Sequence, residues 1–99
     1  MTVIQNDITL AYTQSLEYAA PQGWFNVTID FNHEGRGIVH LERSFDGVTW
    51  QALSTDHTGN IAEYSRSLND SFYEPESGVK YRLNCDVLER GVIHYRFGP

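Results

Sequence analysis

Arg43-Ser-Phe-Asp-Gly-Val-Thr-Trp50 is the stretch of sequence that decides the fold. It joins one extended run to the next through Asp46-Gly47, a dipeptide that readily supplies the positive φ angles of a tight hairpin. Such a turn connects neighbouring antiparallel strands. The octapeptide therefore predicts an antiparallel β architecture, in which Asp46, Gly47 and Trp50 have structural roles.

Alternation of apolar and polar residues predicts the other strands. It is clearest over residues 79–87, in which every second residue from Val79 is apolar or aromatic and the residues between are polar. Residues 8–18 are predicted to supply an opening strand or a broken pair of strands. The remaining predicted strands cover residues 24–32, 38–45, 48–53, 61–68 and 92–97.

Strands 24–32 and 38–45 are expected to pair as a hairpin, because the turn His33-Glu-Gly-Arg-Gly37 between them contains two glycines. The apolar face of the second strand is predicted to carry Val39, Leu41 and Phe45. Residues 69–77 are interpreted as a loop, because they are rich in polar residues and contain Pro75.

Short strands, frequent turn signals and the lack of a credible helix together predict one all-β domain over residues 1–99. We expect an antiparallel β-sandwich of about seven strands, of the immunoglobulin or fibronectin type III sort, with a small closed barrel as the alternative. Residues 1–7 are predicted as a flexible N-terminal arm. Tyr81 follows Glu74-Pro-Glu-Ser-Gly78 and resembles the corner tyrosine of such sandwiches, whose hydroxyl reaches back to the backbone.

Composition and charge limit the classes of function and partner that we expect for this chain. A chain of 99 residues that is 40% hydrophobic can bury one core without disulfides, and the single cysteine, Cys85, excludes an intrachain disulfide. The formal charge of −6 and the scattered seven Lys and Arg residues argue against nucleic-acid binding. No segment has the pattern of a signal peptide or a membrane span, so we expect no membrane partner and folding in the cytoplasm that made the chain.

Motifs for catalysis or metal binding are missing from the sequence. The four histidines are far apart and have no ligand spacing typical of zinc. Cys85 falls on the apolar phase of its strand, where it is expected to be buried rather than nucleophilic. Glu74 and Glu76 are explained by a solvated acidic turn around Pro75. We therefore expect a non-enzymatic protein without a cofactor or metal.

Three aromatic residues, Trp24, Phe72 and Tyr73, fall on outward phases or in connections, where core building does not explain them. Interface centres often use Trp and Tyr, so these residues are predicted to contact a partner. The alternative is that Trp24 caps the end of the sandwich and that Phe72 and Tyr73 cover an open edge of the core beneath the loop 69–77. A saccharide site is also open, with Trp24 beside Asn26, or Trp50 beside Asp46, as the platform.

Two elements of the sequence resemble small structural proteins of tailed bacteriophages. In that group a strand ending in an R-S-F-D-G-x-T-W hairpin is followed, further along the chain, by an E-P-E-x-G-V-x-Y-R-L corner. Residues 43–50 and 74–83 match both elements closely. The resemblance covers most of the chain, and the polar segment 55–70 departs from it.

The resemblance implies a virion component without enzymatic activity, made and folded in the bacterial host cytoplasm. A capsid decoration or cement protein is the first expectation. Its partners would be the major capsid protein or neighbouring virion subunits, and it would be a homo-oligomer or occur in many copies on a symmetric particle. A tail or fibre-associated subunit and a carbohydrate-binding module are the alternatives.

Overall fold

The computed structural model describes residues 3–31, 35–53 and 63–99, and all the regular structure in these ranges is β. No helix that is long and apolar enough to cross a membrane occurs in these ranges. The strands of the described residues are β1 (Ile4–Ile8), β2 (Tyr18–Ala19), β3 (Gly23–Asp30), β4 (Arg36–Ser44), β5 (Gln51–Ala52), β6 (Glu63–Tyr64), β7 (Leu68–Glu74), β8 (Lys80–Arg90) and β9 (Ile93–Gly98).

The strands form two antiparallel sheets. The four-stranded sheet has the order β1-β9-β3-β7, and the five-stranded sheet has the order β2-β8-β4-β5, with β6 also paired to β4. Aromatic contacts join the two sheets across the core: the ring centroids of Phe25 and Tyr81 are 4.7 Å apart, and those of Tyr18 and Phe97 are 5.3 Å apart. One hydrophobic core lies between the sheets, as in a β-sandwich.

The predicted inward faces of the long strands are confirmed. Every second residue is buried from Val79 into β8 as far as Cys85, from Phe25 on β3 to Phe31 just after it, and from Ile93 to Phe97 on β9. Full burial of one such apolar side chain contributes roughly 1.5–3 kcal/mol. The buried residues of these strands are therefore the ones that the alternation predicted to point inward.

The predicted hairpin between residues 24–32 and 38–45 is wrong. β3 lies in the four-stranded sheet and β4 in the five-stranded sheet, so the chain crosses the sandwich between them. Alternation specifies which face of a strand is buried, but it does not specify the neighbouring strand. Part of the predicted turn, residues 32–34, lies outside the described residues.

The segment 61–74 also differs from its prediction. The structure has a short strand at Glu63–Tyr64 and a long one, β7, at Leu68–Glu74, where a loop was expected. β7 pairs with β3 over seven residues. Asn, Asp and Ser favour turns in isolation, and here cross-strand pairing overrides that preference. Residues 61 and 62 lie outside the described residues.

The N-terminal segment is ordered as a strand rather than as an arm. Ile4–Ile8 pairs with β9, and Ile4 and Ile8 stand opposite Phe97 and Ile93. The expectation of a flexible arm over residues 1–7 is thus wrong from Ile4 onward. The chain then moves to the five-stranded sheet, where the Tyr12 N–H donates to the Cys85 carbonyl at 2.8 Å.

The strand order differs from the immunoglobulin arrangement, in which the last two strands share a sheet. Here β8 lies in the five-stranded sheet, while β9 lies between β1 and β3 in the other. The connections from β3 to β4 and from β7 to β8 do cross between sheets, as they do in immunoglobulin domains.

The hairpin predicted around Asp46-Gly47 joins β4 to β5, with Glu42 opposite Ala52 and Arg43 opposite Gln51. Gly47 has φ of 77°. The loop over residues 45–50 is longer than a two-residue turn, and side chains accept hydrogen bonds from its backbone N–H groups. Asp46 Oδ1 accepts hydrogen bonds from two backbone N–H groups of the loop, those of residues 48 and 49, at 2.8 Å each. Because of these bonds, the pKa of Asp46 falls to about 2.

One aromatic residue of this hairpin, Phe45, lies on its surface. Phe45, expected on the apolar face with Val39 and Leu41, is instead 64% exposed, and the Arg43 guanidinium lies 4.6 Å from its ring centroid. The strand ends at residue 44, so the alternation does not continue through Phe45.

Candidate binding surface on the four-stranded sheet

An exposed aromatic pair lies on the outer face of the four-stranded sheet. Trp24 on β3 and Tyr73 on β7 are directly opposite each other, with exposures of 64% and 56%. Their ring centroids are 5.3 Å apart, in an edge-to-face arrangement. Adjacent exposed Trp and Tyr side chains are typical of binding surfaces, because both combine large apolar area with a polar group.

Hydrogen-bonding side chains continue this surface along the same two strands. Ser71 donates its hydroxyl hydrogen to Asn26 Oδ1 at 2.7 Å, and Thr28 donates to Asn69 Oδ1 at 3.2 Å. These pairs are in register on β3 and β7. Each amide keeps its two N–H donors for other partners, since only its oxygen is used in these bonds.

A positive charge borders these pairs on β9. Gly98 stands opposite Asn26, and a Cβ atom at Gly98 would lie 2.9 Å from the Arg96 guanidinium nitrogens. The guanidinium therefore lies over the glycine, close to the row of Asn26 and Ser71. We call Trp24, Tyr73, Asn26, Ser71 and Arg96 together the Trp24–Tyr73 surface.

Phe72, the third aromatic residue predicted to contact a partner, does not belong to this surface. Its side chain is only 6% exposed and stacks on Phe25 with a centroid separation of 6.0 Å. On a strand, neighbouring residues point to opposite faces, so Tyr73 points outward and Phe72 inward. The expectation of an outward Phe72 is wrong because β7 was read as a loop.

The second predicted saccharide platform, Trp50 with Asp46, has fewer groups available to a ligand than the Trp24–Tyr73 surface. The Arg82 guanidinium lies 4.3 Å from the Trp50 ring centroid, so it occupies one face of that ring. The Asp46 carboxylate binds the backbone of its own hairpin. These contacts occupy the Asp46 carboxylate and one face of the Trp50 ring.

A buried ion pair that the sequence reading missed joins the two sheets. The Glu74 carboxylate is fully buried at the end of β7, and Arg43 on β4 donates to it through Nε and Nη2 at 2.6 Å each. The Tyr81 hydroxyl donates to Glu74 Oε1 at 2.8 Å. The expectations of a solvated Glu74 and of a Tyr81 bond to the backbone are therefore both wrong.

Electrostatics of this cluster follow from its geometry. Burial alone would raise the pKa of Glu74, but the hydrogen bonds from Arg43, the Glu76 N–H and Tyr81 outweigh it and lower that pKa. Burial and the contact with Glu74 raise the pKa of Tyr81. The charged pair is thus maintained at neutral pH, with a structural role between the sheets.

The outer face of the five-stranded sheet carries a second charged network. His40 lies 2.6 Å from the Asp86 carboxylate and 3.2 Å from that of Glu42, which also accepts from Arg82 Nε at 2.7 Å. No group of three or more His, Cys, Asp or Glu side chains arranged to hold a metal ion occurs in the parts of the chain that the structure describes. The charges of this network pair with one another.

A buried thiol and a surface cleft are two further features of the molecule. Cys85 is buried, and burial followed by the charge of Asp86 raises the pKa of its thiol, which disfavours the thiolate. A cleft of about 320 Å³ lies beside the β4–β5 hairpin. Its charged lining residues, Arg43 and Asp46, already bind Glu74 and the hairpin backbone.

No known protein family, curated protein or solved structure matches this chain. The Trp24–Tyr73 surface is therefore interpreted from its own geometry. It combines an apolar platform, amide and hydroxyl groups and one cation, a set that suits recognition of a partner by contact.

Proposed function

We propose that this chain is a non-enzymatic structural protein of a tailed bacteriophage virion. In this proposal it is a capsid decoration or cement protein that binds the major capsid protein or a neighbouring virion subunit through the Trp24–Tyr73 surface. The exposed, in-register pair of Trp24 and Tyr73 is the observation that carries the proposal. The similarity of residues 43–50 and 74–83 to phage structural proteins supports it.

The expected strength of the contact is modest for one copy. An aromatic side chain carries roughly 200 Å² of surface, and burial of apolar area contributes ~25 cal/mol per Å². Trp24 and Tyr73 are 64% and 56% exposed, so covering both contributes about 6 kcal/mol before the costs of association. Many copies on a symmetric shell compensate for a weak single contact.

The fold supports a role as a compact binding module. We infer that it is a variant of the immunoglobulin or fibronectin type III sandwich, because two of its strand connections cross between sheets as they do in those domains. In this variant the last strand has moved to the sheet that carries the Trp24–Tyr73 surface. That arrangement places Arg96 opposite Thr28, with its guanidinium over Gly98, the residue that stands opposite Asn26.

Binding to particles that lack the chain tests the proposal. We expect the purified chain to bind such particles to saturation at a fixed number of copies, and Trp24→Ala to weaken binding by at least tenfold. Phe45→Ala is the matched control, since Phe45 is equally exposed but lies in the loop between β4 and β5 of the other sheet. Equal binding by both variants would refute a contact through this surface.

A second function is favoured by one specific observation. Trp24 and Tyr73 form an aromatic platform, and the amide of Asn26 and the hydroxyl of Ser71 lie in the next row, which is a set of groups that can bind a sugar ring. A screen against immobilised glycans distinguishes the two functions. Glycan binding that is lost in both Trp24→Ala and Tyr73→Ala, without any binding to particles, would replace the capsid proposal.

A further inference from the structure

Strand β1 forms an open edge of the four-stranded sheet. Within the described ranges of the chain, β1 pairs with β9 on one side and with no strand on the other. The Asp7 N–H donates to the side-chain oxygen of Asn6 at 2.8 Å rather than to β9. Since backbone groups alternate along a strand, those of Gln5 and Asp7 face the open side.

The sequence of β1 is self-complementary about its centre. If a second copy pairs antiparallel with Ile4-Gln5-Asn6-Asp7-Ile8 around Asn6, then Ile4 stands opposite the partner's Ile8 and Gln5 opposite the partner's Asp7. Asn6 stands opposite the partner's Asn6, where two amides can bond to each other. Every position in this register therefore meets a chemically compatible one.

Charge does not oppose the pairing at this edge, although each copy carries a net charge of −6. The Asp7 carboxylate bonds to the imidazole of His94 on the neighbouring strand, and neutral Gln5 would stand opposite it across the edge. No two like charges would be directly opposite, which is the arrangement that destabilises strand pairs.

Exposed apolar residues surround the same edge of the sandwich. Val3, Leu10, Tyr12 and Leu16 are all exposed, and Tyr12 is 84% exposed. The segment that carries them is nevertheless fixed: the Tyr12 N–H bonds to the Cys85 carbonyl, and the Leu16 N–H bonds to the Tyr95 hydroxyl at 2.9 Å.

Tyr12 also has a φ of 62°, which is rare for a bulky residue and costs energy. A rigid segment that holds apolar side chains in water, one of them in a strained conformation, is typical of a preorganised contact.

From these observations we propose that β1 is a self-association site, at which two copies pair their β1 strands antiparallel about Asn6. The four-stranded sheets of the two copies then form one continuous eight-stranded sheet. Asn6 releases the Asp7 N–H, which donates instead to the partner's Gln5 carbonyl. This dimer does not depend on the proposed virion role, because it forms from the chain alone.

Substitution of Gln5 separates edge pairing from folding. Gln5→Pro removes the N–H that faces the open side, and proline is tolerated on strand edges. Gln5→Ala is the matched control that keeps the N–H. By sedimentation velocity we expect dimers for the wild type and Gln5→Ala, and at least a tenfold weaker dimer for Gln5→Pro at an unchanged melting temperature.

A disulfide test fixes the register and remains informative if the proline variant does not fold. The two Asn6 Cα atoms would form a non-hydrogen-bonded pair, about 4.5 Å apart, which is within the range that a disulfide spans. Asn6→Cys should therefore form a covalent dimer on mild oxidation, while Val48→Cys on the exposed hairpin should not. Cys85 is buried and does not compete.

A wild-type chain that stays monomeric up to millimolar concentration would overturn the proposal. So would dimers of Gln5→Pro as strong as those of the wild type, or a failure of Asn6→Cys to crosslink above the Val48→Cys background. A monomer whose β1 amides become protected from hydrogen exchange only on particles would also overturn it, since the strand at the edge would then come from another protein.

Discussion

Replacement of Glu74 by glutamine should destabilise the protein by about 3 kcal/mol, a value that follows from the geometry of the buried ion pair. The Glu74 carboxylate is fully buried and accepts two hydrogen bonds from Arg43 and one from Tyr81. Glu74→Gln keeps the shape of the side chain but removes its charge. The Arg43 guanidinium is then left without its counter-ion.

Removal of one partner from a buried ion pair typically costs ~3–5 kcal/mol. The Arg43 side chain retains 23% exposure, so water compensates part of the loss and the lower end of this range applies. Urea unfolding measures the effect as a lower midpoint with an unchanged slope. The matched control is Glu76→Gln, an exposed glutamate two residues away, which we expect to change the free energy of unfolding by less than about 0.5 kcal/mol.

Two results would refute this reasoning. One is a Glu74→Gln variant as stable as Glu76→Gln. The other is additivity with Arg43→Met, because two groups that stabilise each other must show a coupling energy in a double-mutant cycle. We expect the double variant to be clearly less destabilised than the sum of the two single variants.

The same cluster gives a pH dependence of defined sign. The pKa of Glu74 is lowered in the folded state relative to its ordinary value of 4.5. Its contribution to stability is therefore fully present above pH 4.5 and is lost as the pH falls through the folded-state pKa. Acid unfolding of Glu74→Gln should lack this component, and curves that run parallel to those of the wild type would contradict the assignment.

Three further substitutions test the hairpin conformation and the orientation of β7 by thermal or urea unfolding. Gly47→Ala places a Cβ on a residue with φ of 77° and should cost about 1 kcal/mol, whereas no loss would show that the loop adopts another conformation. Phe72→Ala should cost ~3–5 kcal/mol and Tyr73→Ala well under 1 kcal/mol, since the first side chain is buried and the second exposed. The opposite order would mean that β7 presents its other face to the core.

The inward faces of the long strands could be predicted from sequence, because burial on one side of a strand leaves a period-two pattern. The pairing partners of these strands could not be predicted from sequence. Strands 24–32 and 38–45 are consecutive and both amphipathic, which fits a hairpin and a crossover equally well, and only the packing of the whole chain decides between them. β7 was missed because Asn69, Asp70 and Ser71 resemble a turn when read without the strand that pairs with them.

The buried ion pair did leave a signal in the sequence. Arg43 follows Val39 and Leu41 on the inward phase of β4, and a charge on an apolar phase requires a buried partner of opposite charge. The identity of that partner, Glu74, depends on the fold. The pairing of Trp24 with Tyr73 could not be predicted from sequence either. The two residues are far apart in the sequence, and the register of β3 and β7 brings them together.

Quantitative mass spectrometry of purified virus particles tests the proposed function most directly. We expect this chain to be present at a fixed, high copy number that matches the symmetry of the capsid. A low copy number that matches a tail or fibre would contradict the capsid assignment. Absence of the chain from the particles would contradict the virion role itself.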